Sequence, residues 1–387
     1  MKTCITSLLL VFFISSMAQN VGIGTTAPDA SAKVDISSVN SGFLLPRMNT
    51  AQRDAIASPA TGLLIFNTDN NALEMWNATS WLSFGSTGIS SNGLPLGPTC
   101  TNQWSRKNDV GGFTRLRAVG FAIGNKGYTG TGVDGVGTYK KDFWEYDPLT
   151  NSWTQKADFG GLARSNAMAF SLGGKGYIGT GYDGVNYRKD FWEYDPANNS
   201  WTQKTDFAGV ARSSAVGFGI GAMGYVGTGY DGSDKSDFWE FDPAGNSWAA
   251  KAPFAGVPRS GTVGFSLAGK GYIGLGQVSN TGAFKKDFWE YDPAGNQWTQ
   301  KTDFGGIGRT GALALSNGTK AFIALGNGYM PKFDFWEYLP LTNTWIQRAD
   351  FGGGSRSGAM GFVIGTKTYI GTGQSGSALN DFWEYCQ

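Results

Sequence analysis

The chain has 387 residues, among them 59 glycines, 14 tryptophans and no histidine. The absence of histidine excludes Ser-His-Asp and Cys-His nucleophile systems, an imidazole base and nearly every common zinc, copper or non-haem iron site, so no metal or cofactor is implied. With Lys+Arg 31 against Asp+Glu 30 the net charge of +1 supplies no field for nucleic acid or an anionic membrane, and 16% charged residues is not a coiled-coil composition.

Residues 1–18 read as a secretory signal. Lys2 gives the positive start, Ile5 to Ile14 the apolar stretch and Ser16-Met17-Ala18 the small-x-small cleavage site, so the mature chain begins at Gln19. That stretch is too short to span a bilayer and no other approaches 18 apolar residues, which predicts a secreted or cell-surface protein, with the periplasm as the alternative and no transmembrane segment. Cys4 leaves with the signal. Cys100 and Cys386 remain, and in an exported chain a disulfide between them is the first expectation.

Residues 19–84 form a separate module with a helix-compatible patch at Thr50 to Ala57. A hairpin is predicted where Leu63 to Phe66 and Leu73 to Trp76 flank Asp69-Asn70-Asn71. The run Val21 to Pro28, with Gly42 to Met48 and this hairpin, resembles the N-terminal stalk module of exported Bacteroidetes surface proteins and of some phage tail-fibre proteins. The resemblance implies surface display and an oligomer formed through this module; the competing reading is a small cap. Residues 85–98, rich in Gly, Ser and Pro, are a linker.

From residue 99 to 387 one unit repeats. Asp-Phe-Trp-Glu-Tyr/Phe begins at Asp142, Asp190, Asp237, Asp287, Asp334 and Asp381, every 47 to 50 residues. Each copy orders Arg-x-x-Ala/Thr, Lys-Gly-Tyr-Ile-Gly-Thr-Gly, Lys-Asp-Phe-Trp-Glu-Tyr-Asp-Pro and Asn-Ser-Trp-Thr-Gln-Lys, or close variants: four short aromatic and β-branched runs separated by turn residues. The runs are apolar at nearly every position, so both faces of each small sheet need cover, and radial packing of six sheets provides it.

These residues resemble the kelch repeat, with a Tyr on strand three and a Trp on strand four after six intervening residues: Tyr146 and Trp153, Tyr194 and Trp201, Tyr291 and Trp298, Tyr338 and Trp345, with Phe241 before Trp248. The kelch double glycine has become Gly-Thr-Gly in four copies, as at Gly179 and Gly181. The resemblance implies an all-β, six-bladed kelch-type β-propeller. The last copy ends at Tyr385-Cys386-Gln387 without a fourth strand, while Cys100 to Trp104 precede the first copy. Joining them restores six residues between Tyr385 and Trp104, so the N-terminal segment is expected to supply the outer strand of the last blade and to close the ring, with Cys100 facing Cys386.

Several motifs mislead. Gly130-x-Gly132-x-x-Gly135 and its repeats match a dinucleotide fingerprint but lie between strands. Glu145, Glu193, Glu240, Glu290, Glu337 and Glu384 repeat too regularly for an active site and are expected to pair with Lys or Arg of neighbouring strands.

The candidate binding residues lie at one face. Arg115, Arg164, Arg212, Arg259, Arg309 and Arg356 precede the innermost strand and are expected to ring the channel mouth. The variable loops on that face carry Tyr139, Tyr187, Lys235, Phe284 and Tyr329, aromatics mixed with cations as in recognition surfaces. Guanidinium groups suit carboxylate or sulfate, so the expected partner is an acidic glycan or acidic peptide. The competing reading has each Arg bracing its own turn through the Asp six residues earlier (Asp109, Asp158, Asp206, Asp303, Asp350). The sequence thus points to a non-enzymatic binding or adhesion module. The kelch resemblance also raises galactose oxidase, excluded by the missing histidine ligands, and a cofactor-free sialic acid epimerase, for which Asp234 is the candidate acid-base group. A structural surface-fibre component is the third reading.

Overall fold

The computed structural model describes residues 21–27, 32–70, 72–84 and 102–386, in two compact units, Met1–Thr99 and Cys100–Gln387. The expected signal segment, the linker and Cys100 lie outside the described residues, and with Cys100 the proposed disulfide. Among the described residues no helix is long and apolar enough to cross a membrane.

In the first unit the predicted hairpin is present: Leu64–Asn67 pairs antiparallel with Ala72–Trp76, flanked by Arg47–Met48 on one side and Trp81–Phe84 on the other. The helical patch is shorter than expected, Thr50–Asp54, started by a capping box between Asn49 and Gln52. The buried Glu74 is held by Arg53 (2.9 Å), Asn70 (2.7 Å) and Asn67 (3.2 Å). Burial opposes its ionisation, but these hydrogen bonds outweigh it and hold the carboxyl below its usual range. The other strands of this unit, Val21–Ile23 and Val34–Ile36, pair in parallel and leave Val21, Ile23, Val34 and Ile36 exposed. Two three-residue strands with an uncovered apolar face are not self-supporting.

Among the described residues the second unit has six four-stranded antiparallel sheets, in chain order of their first strands. The second runs Met168–Leu172, Lys175–Gly179, Phe191–Asp195, Ser200–Lys204, and the other five repeat this plan. In the sixth, the fourth strand is Gln103–Lys107, paired with Phe382–Cys386 so that Tyr385 faces Trp104, in the register expected from the interrupted repeat. First strands of successive sheets touch in sequence, and Met360–Ile364 of the sixth touches Val119–Ile123 of the first.

The aromatic content is spent between sheets. Phe143, fully buried, lies 4.8 Å from Tyr194 and 5.0 Å from Trp201 of the next sheet, both edge-on. Such pairs add about 0.5–1.5 kcal/mol each beyond the area they bury. Gly176 is needed here because a Cβ would sit 2.3 Å from the Phe121 ring of the preceding sheet. Polar clasps repeat at the same junctions. Asn199 accepts the N–H of Ala157 (2.9 Å) while Trp201 Nε1 donates to the same residue's C=O (3.1 Å). Across the seam, Asn102 and Trp104 grip Ala349 in the same way (2.7 and 3.0 Å). These asparagines adopt left-handed backbone, φ 49° at Asn199 and 53° at Asn102, which Asn tolerates better than most residues.

The repeated glutamates are structural, as expected. Glu193 takes the Tyr177 hydroxyl (2.6 Å) and faces Lys204 (3.6 Å), and Glu240 takes Tyr225 (2.5 Å) and Lys251 (3.1 Å).

Candidate ligand cup at the channel mouth

The six repeated arginines do not present their charge to a ligand. Arg115, Arg164, Arg212, Arg259, Arg309 and Arg356 are at most 1% exposed, and each grips the Asp that opens strand three of its own sheet. Arg164 binds Asp190 through both terminal nitrogens at 2.7 Å, and Arg259 binds Asp287 at 2.5 and 2.6 Å. Nη1 also donates to a backbone carbonyl, that of Thr180 for Arg164 (2.9 Å), and the same Asp accepts Trp192 Nε1 (2.8 Å). In five copies the guanidinium lies over the Phe of the preceding Asp-Phe or Pro-Phe turn, 4.9 Å from the Phe159 ring for Arg164 and 5.2 Å from Phe254 for Arg259. Burial works against ionisation of these aspartates, yet the arginine hydrogen bonds prevail and hold Asp142, Asp190, Asp237, Asp287, Asp334 and Asp381 below the usual carboxylate range. The expected ring of ligand-facing guanidiniums is therefore corrected: it is a ring of buried ion pairs. The expected bracing partner is corrected as well. Asp109 pairs with Arg106 (2.7 Å) and Asp350 with Gln347 (3.0 Å), neither with the repeated Arg.

The loop residues fall into separate groups. Tyr139 and Tyr187 belong to a run of tyrosines with Tyr182 and Tyr230. Lys235 is tied to Asp231 and Ser233 within its loop (2.8 and 2.9 Å). Phe284 and Tyr329 stand edge to face at 5.1 Å, in the loops of the fourth and fifth sheets. Asp234 accepts both the N–H and the hydroxyl of Ser279 (2.6 and 2.8 Å) and so joins two loops.

What lies open at the mouth is the residue two positions after each repeated Arg. These are Arg117, Asn166, Ser214, Gly261, Gly311 and Gly358, all left-handed, with φ between 52° and 63°. The conformation accompanies a backbone rosette of five links: Asn166 N–H donates to Arg117 O (3.1 Å), Ser214 to Asn166 (2.9 Å), Gly261 to Ser214 (3.2 Å), Gly358 to Gly311 (3.0 Å) and Arg117 to Gly358 (2.7 Å), while Gly261 O takes the Thr310 hydroxyl (3.4 Å). Three positions use glycine, for which this backbone is unstrained. The other three keep side chains at a cost of roughly 1 kcal/mol or more for a residue such as Arg.

One step outward lies a second ring, Val133, Tyr182, Tyr230, Gln277, Asn327 and Gln374. Each pairs in both directions with the residue just before a member of the inner rosette (Arg117, Asn166, Ser214, Gly261, Gly311, Gly358), as Tyr182 with Ser165 (2.9 and 2.9 Å) and Asn327 with Thr310 (2.8 and 2.9 Å). The rings enclose a cup of about 430 Å³ lined by Arg117, Asn166 and Ser214 on one side and by Ser260, Gln277, Thr310, Asn327 and Ser357 on the other. Arg117 is exposed to this cup, its stem passing over Gly358, where a Cβ would meet Arg117 Cγ at 3.2 Å. Its guanidinium has no ion-pair or hydrogen-bond partner among the described residues. Asn327 Oδ1 is buried and accepts no hydrogen bond. An unpaired cation, an unsatisfied acceptor and a ring of hydroxyls suit a ligand with a carboxylate and several hydroxyl or amide groups. The opposite end of the channel opens into about 550 Å³ lined by glycines, Phe121, Phe170, Phe218, Phe265, Phe362 and small polar residues, with no charged side chain.

Sequence reasoning missed Arg117, Asn166 and Ser214. The signal was available: the column two after the invariant Arg reads Arg, Asn, Ser, Gly, Gly, Gly, a break in an otherwise regular repeat.

The comparisons with known proteins fall on the two units separately. Residues 22–94 match the family model described as a phage tail like trimerisation region. A solved structure titled "Structure of YjhT" matches with a TM-score of 0.61 at 17% identity, over 71% of this chain and 95% of that one. The second unit is β-propeller-like. At this identity the likeness is one of fold, and no curated protein sequence matches the chain.

Proposed function

We propose that this protein is an exported recognition module. A closed six-bladed kelch-type propeller, displayed on a trimer-forming N-terminal module, binds an anionic, hydroxyl-rich ligand, an acidic sugar, in the cup at its channel mouth. Support for closure comes from the first-to-sixth strand contact and from the seam strand with its Asn102 and Trp104 clasp. Trimer formation is supported by the match over residues 22–94 and by the exposed Val21, Ile23, Val34 and Ile36, which another copy would cover. A Cys100 to Cys386 bridge would lock the seam, and export through residues 1–18 would supply the oxidising compartment.

The observation that carries the binding reading is Arg117. It is a charged side chain kept on left-handed backbone, unpaired, in a polar cup where the equivalent positions are Asn, Ser and three glycines. The lining offers one cation with hydroxyl and amide groups and includes no carboxylate, lysine or tyrosine to move a proton on a sugar ring, which favours binding over a cofactor-free epimerase. Titration calorimetry of the full chain with glucuronate and N-acetylneuraminate, against glucose and N-acetylglucosamine, tests this. Both acids are expected to bind, the neutral sugars not, and Arg117→Ala is expected to lose the difference. Accelerated N-acetylneuraminate mutarotation by NMR, lost in Asp234→Asn, would instead establish the enzyme reading.

A further inference from the structure

The two rings at the mouth divide the same way. Sheets one to three carry the rosette side chains Arg117, Asn166 and Ser214, and the tyrosines lie on these sheets too. Tyr139, Tyr182, Tyr187 and Tyr230 form one row, with ring centroids 6.1, 5.3 and 6.1 Å apart, crossing two sheet boundaries. The row adjoins the cup through the chain itself. Tyr182 pairs with Ser165 beside Asn166, Tyr230 with Ser213 beside Ser214, and Tyr139 bridges to Val133, which pairs with Leu116 beside Arg117.

The row is held in place and half-exposed. Tyr139 rests on Gly184 of the next loop, where a Cβ would lie 2.7 Å from its ring, and the Tyr182 hydroxyl donates to Gly184 O (2.9 Å). One cation in each loop is cancelled by an Asp of the same loop: Lys140 by Asp134 (2.8 Å), Arg188 by Asp183 and Lys235 by Asp231 (2.8 Å). Aromatic faces of low conformational entropy, with hydroxyls at their edges and no net charge, suit uncharged sugar rings, whose C–H faces stack on aromatic rings. An acidic peptide would instead need free cations along the row; Lys140, Arg188 and Lys235 are already paired, and the exposed Lys141 and Lys189 make hexaglutamate the control that decides between the two.

We infer that the tyrosine row is an extended subsite: the protein binds the end of an acidic oligosaccharide, the charged terminal unit in the cup and the adjoining neutral units along Tyr139, Tyr182, Tyr187 and Tyr230. This rests on the reading of the cup as an anion site. The test titrates the full chain with N-acetylneuraminate, sialyllactose, lactose and hexaglutamate. Sialyllactose is expected to bind at least tenfold more tightly than the monosaccharide. The double variant Tyr139→Ala/Tyr187→Ala is expected to bring it down to the monosaccharide's affinity without changing that affinity, while Tyr139→Phe/Tyr187→Phe retains most of the gain. Unchanged melting temperatures of both variants certify that the loops are intact. Equal affinity for the two acids, or an undiminished gain in the alanine variant, overturns the row and leaves the cup standing. Failure of both acids to bind, or full binding by Arg117→Ala, overturns the cup and the row with it. Tighter binding of hexaglutamate than of sialyllactose overturns the glycan in favour of an acidic peptide.

Discussion

Arg115 and Arg117 are two residues apart at the same channel mouth, yet one is buried against Asp142 and the other is exposed and unpaired. Arg115 has five counterparts, each gripping the Asp that opens strand three, whereas the counterparts of Arg117 are Asn, Ser and three glycines. In a repeat protein every sheet must solve the same packing problem, so a residue present in all copies serves the scaffold. A ligand without sixfold symmetry can be recognised only by residues that differ between copies.

The contrast is broken most forcefully at a scaffold pair. Arg309→Ala leaves the Asp334 carboxylate without its partner, and stability in chemical denaturation is expected to fall by about 3–5 kcal/mol, with ligand affinity per folded molecule unchanged. The reverse is expected at the rosette. Arg117→Gly should lose at least tenfold in affinity for glucuronate in calorimetry, while its melting temperature stays level or rises, since glycine relieves the left-handed backbone. A stability loss at Arg117 equal to that at Arg309 would erase the distinction between the two.

Titration probes the scaffold alone. The strand-three aspartates have lowered pKa values in the fold, so their contribution is complete above the unfolded value of about 3.9 and is lost as pH falls through the folded values. Circular dichroism should show unfolding setting in below about pH 4. At the other end, burial pushes Tyr291, Tyr338 and Tyr385 up to about 12. A raised pKa stabilises fully below the unfolded value of about 10 and is lost as pH rises through the folded one, so a second transition is expected between about pH 10 and 12.

The smallest expected effect lies in the fifth sheet, where Phe322 replaces the tyrosine whose hydroxyl reaches the strand-three glutamate in the other five. Phe322→Tyr is expected to add a hydrogen bond to Glu337 and up to about 1 kcal/mol of stability. Destabilisation in thermal melts would mean that the pairing of Glu337 with Arg348 has replaced the tyrosine's place in that sheet.

The repeat made the sheets legible, because Tyr and Trp at fixed separation mark strands three and four, and the missing fourth strand after Tyr385 located its replacement at Trp104. Partners of charged groups were less legible. Arg164 and Asp190 lie 26 positions apart and meet only because strand one begins where strand three begins; proximity in sequence pointed to Asp158 instead. The cup was overlooked for a different reason: attention to what recurs passes over a column that varies. In the first unit the hairpin was readable from its turn, but the parallel pairing of Val21–Ile23 with Val34–Ile36 joins segments too short to carry a period.

The strand Gln103–Lys107 is also where the chain first enters its sheets. Traction arriving along the polypeptide from the N-terminal side therefore reaches the pairing of Gln103 with Cys386 and the hold of Asn102 on Ala349 before any other bond of the second unit. Under a steady pull on the chain without a Cys100 to Cys386 bridge, the sixth sheet would be the first to yield, strand by strand from its rim, while the other five keep all four of their own strands. Resistance to a pull from the N-terminal side is thus decided by one five-residue strand rather than by the combined stability of the six sheets.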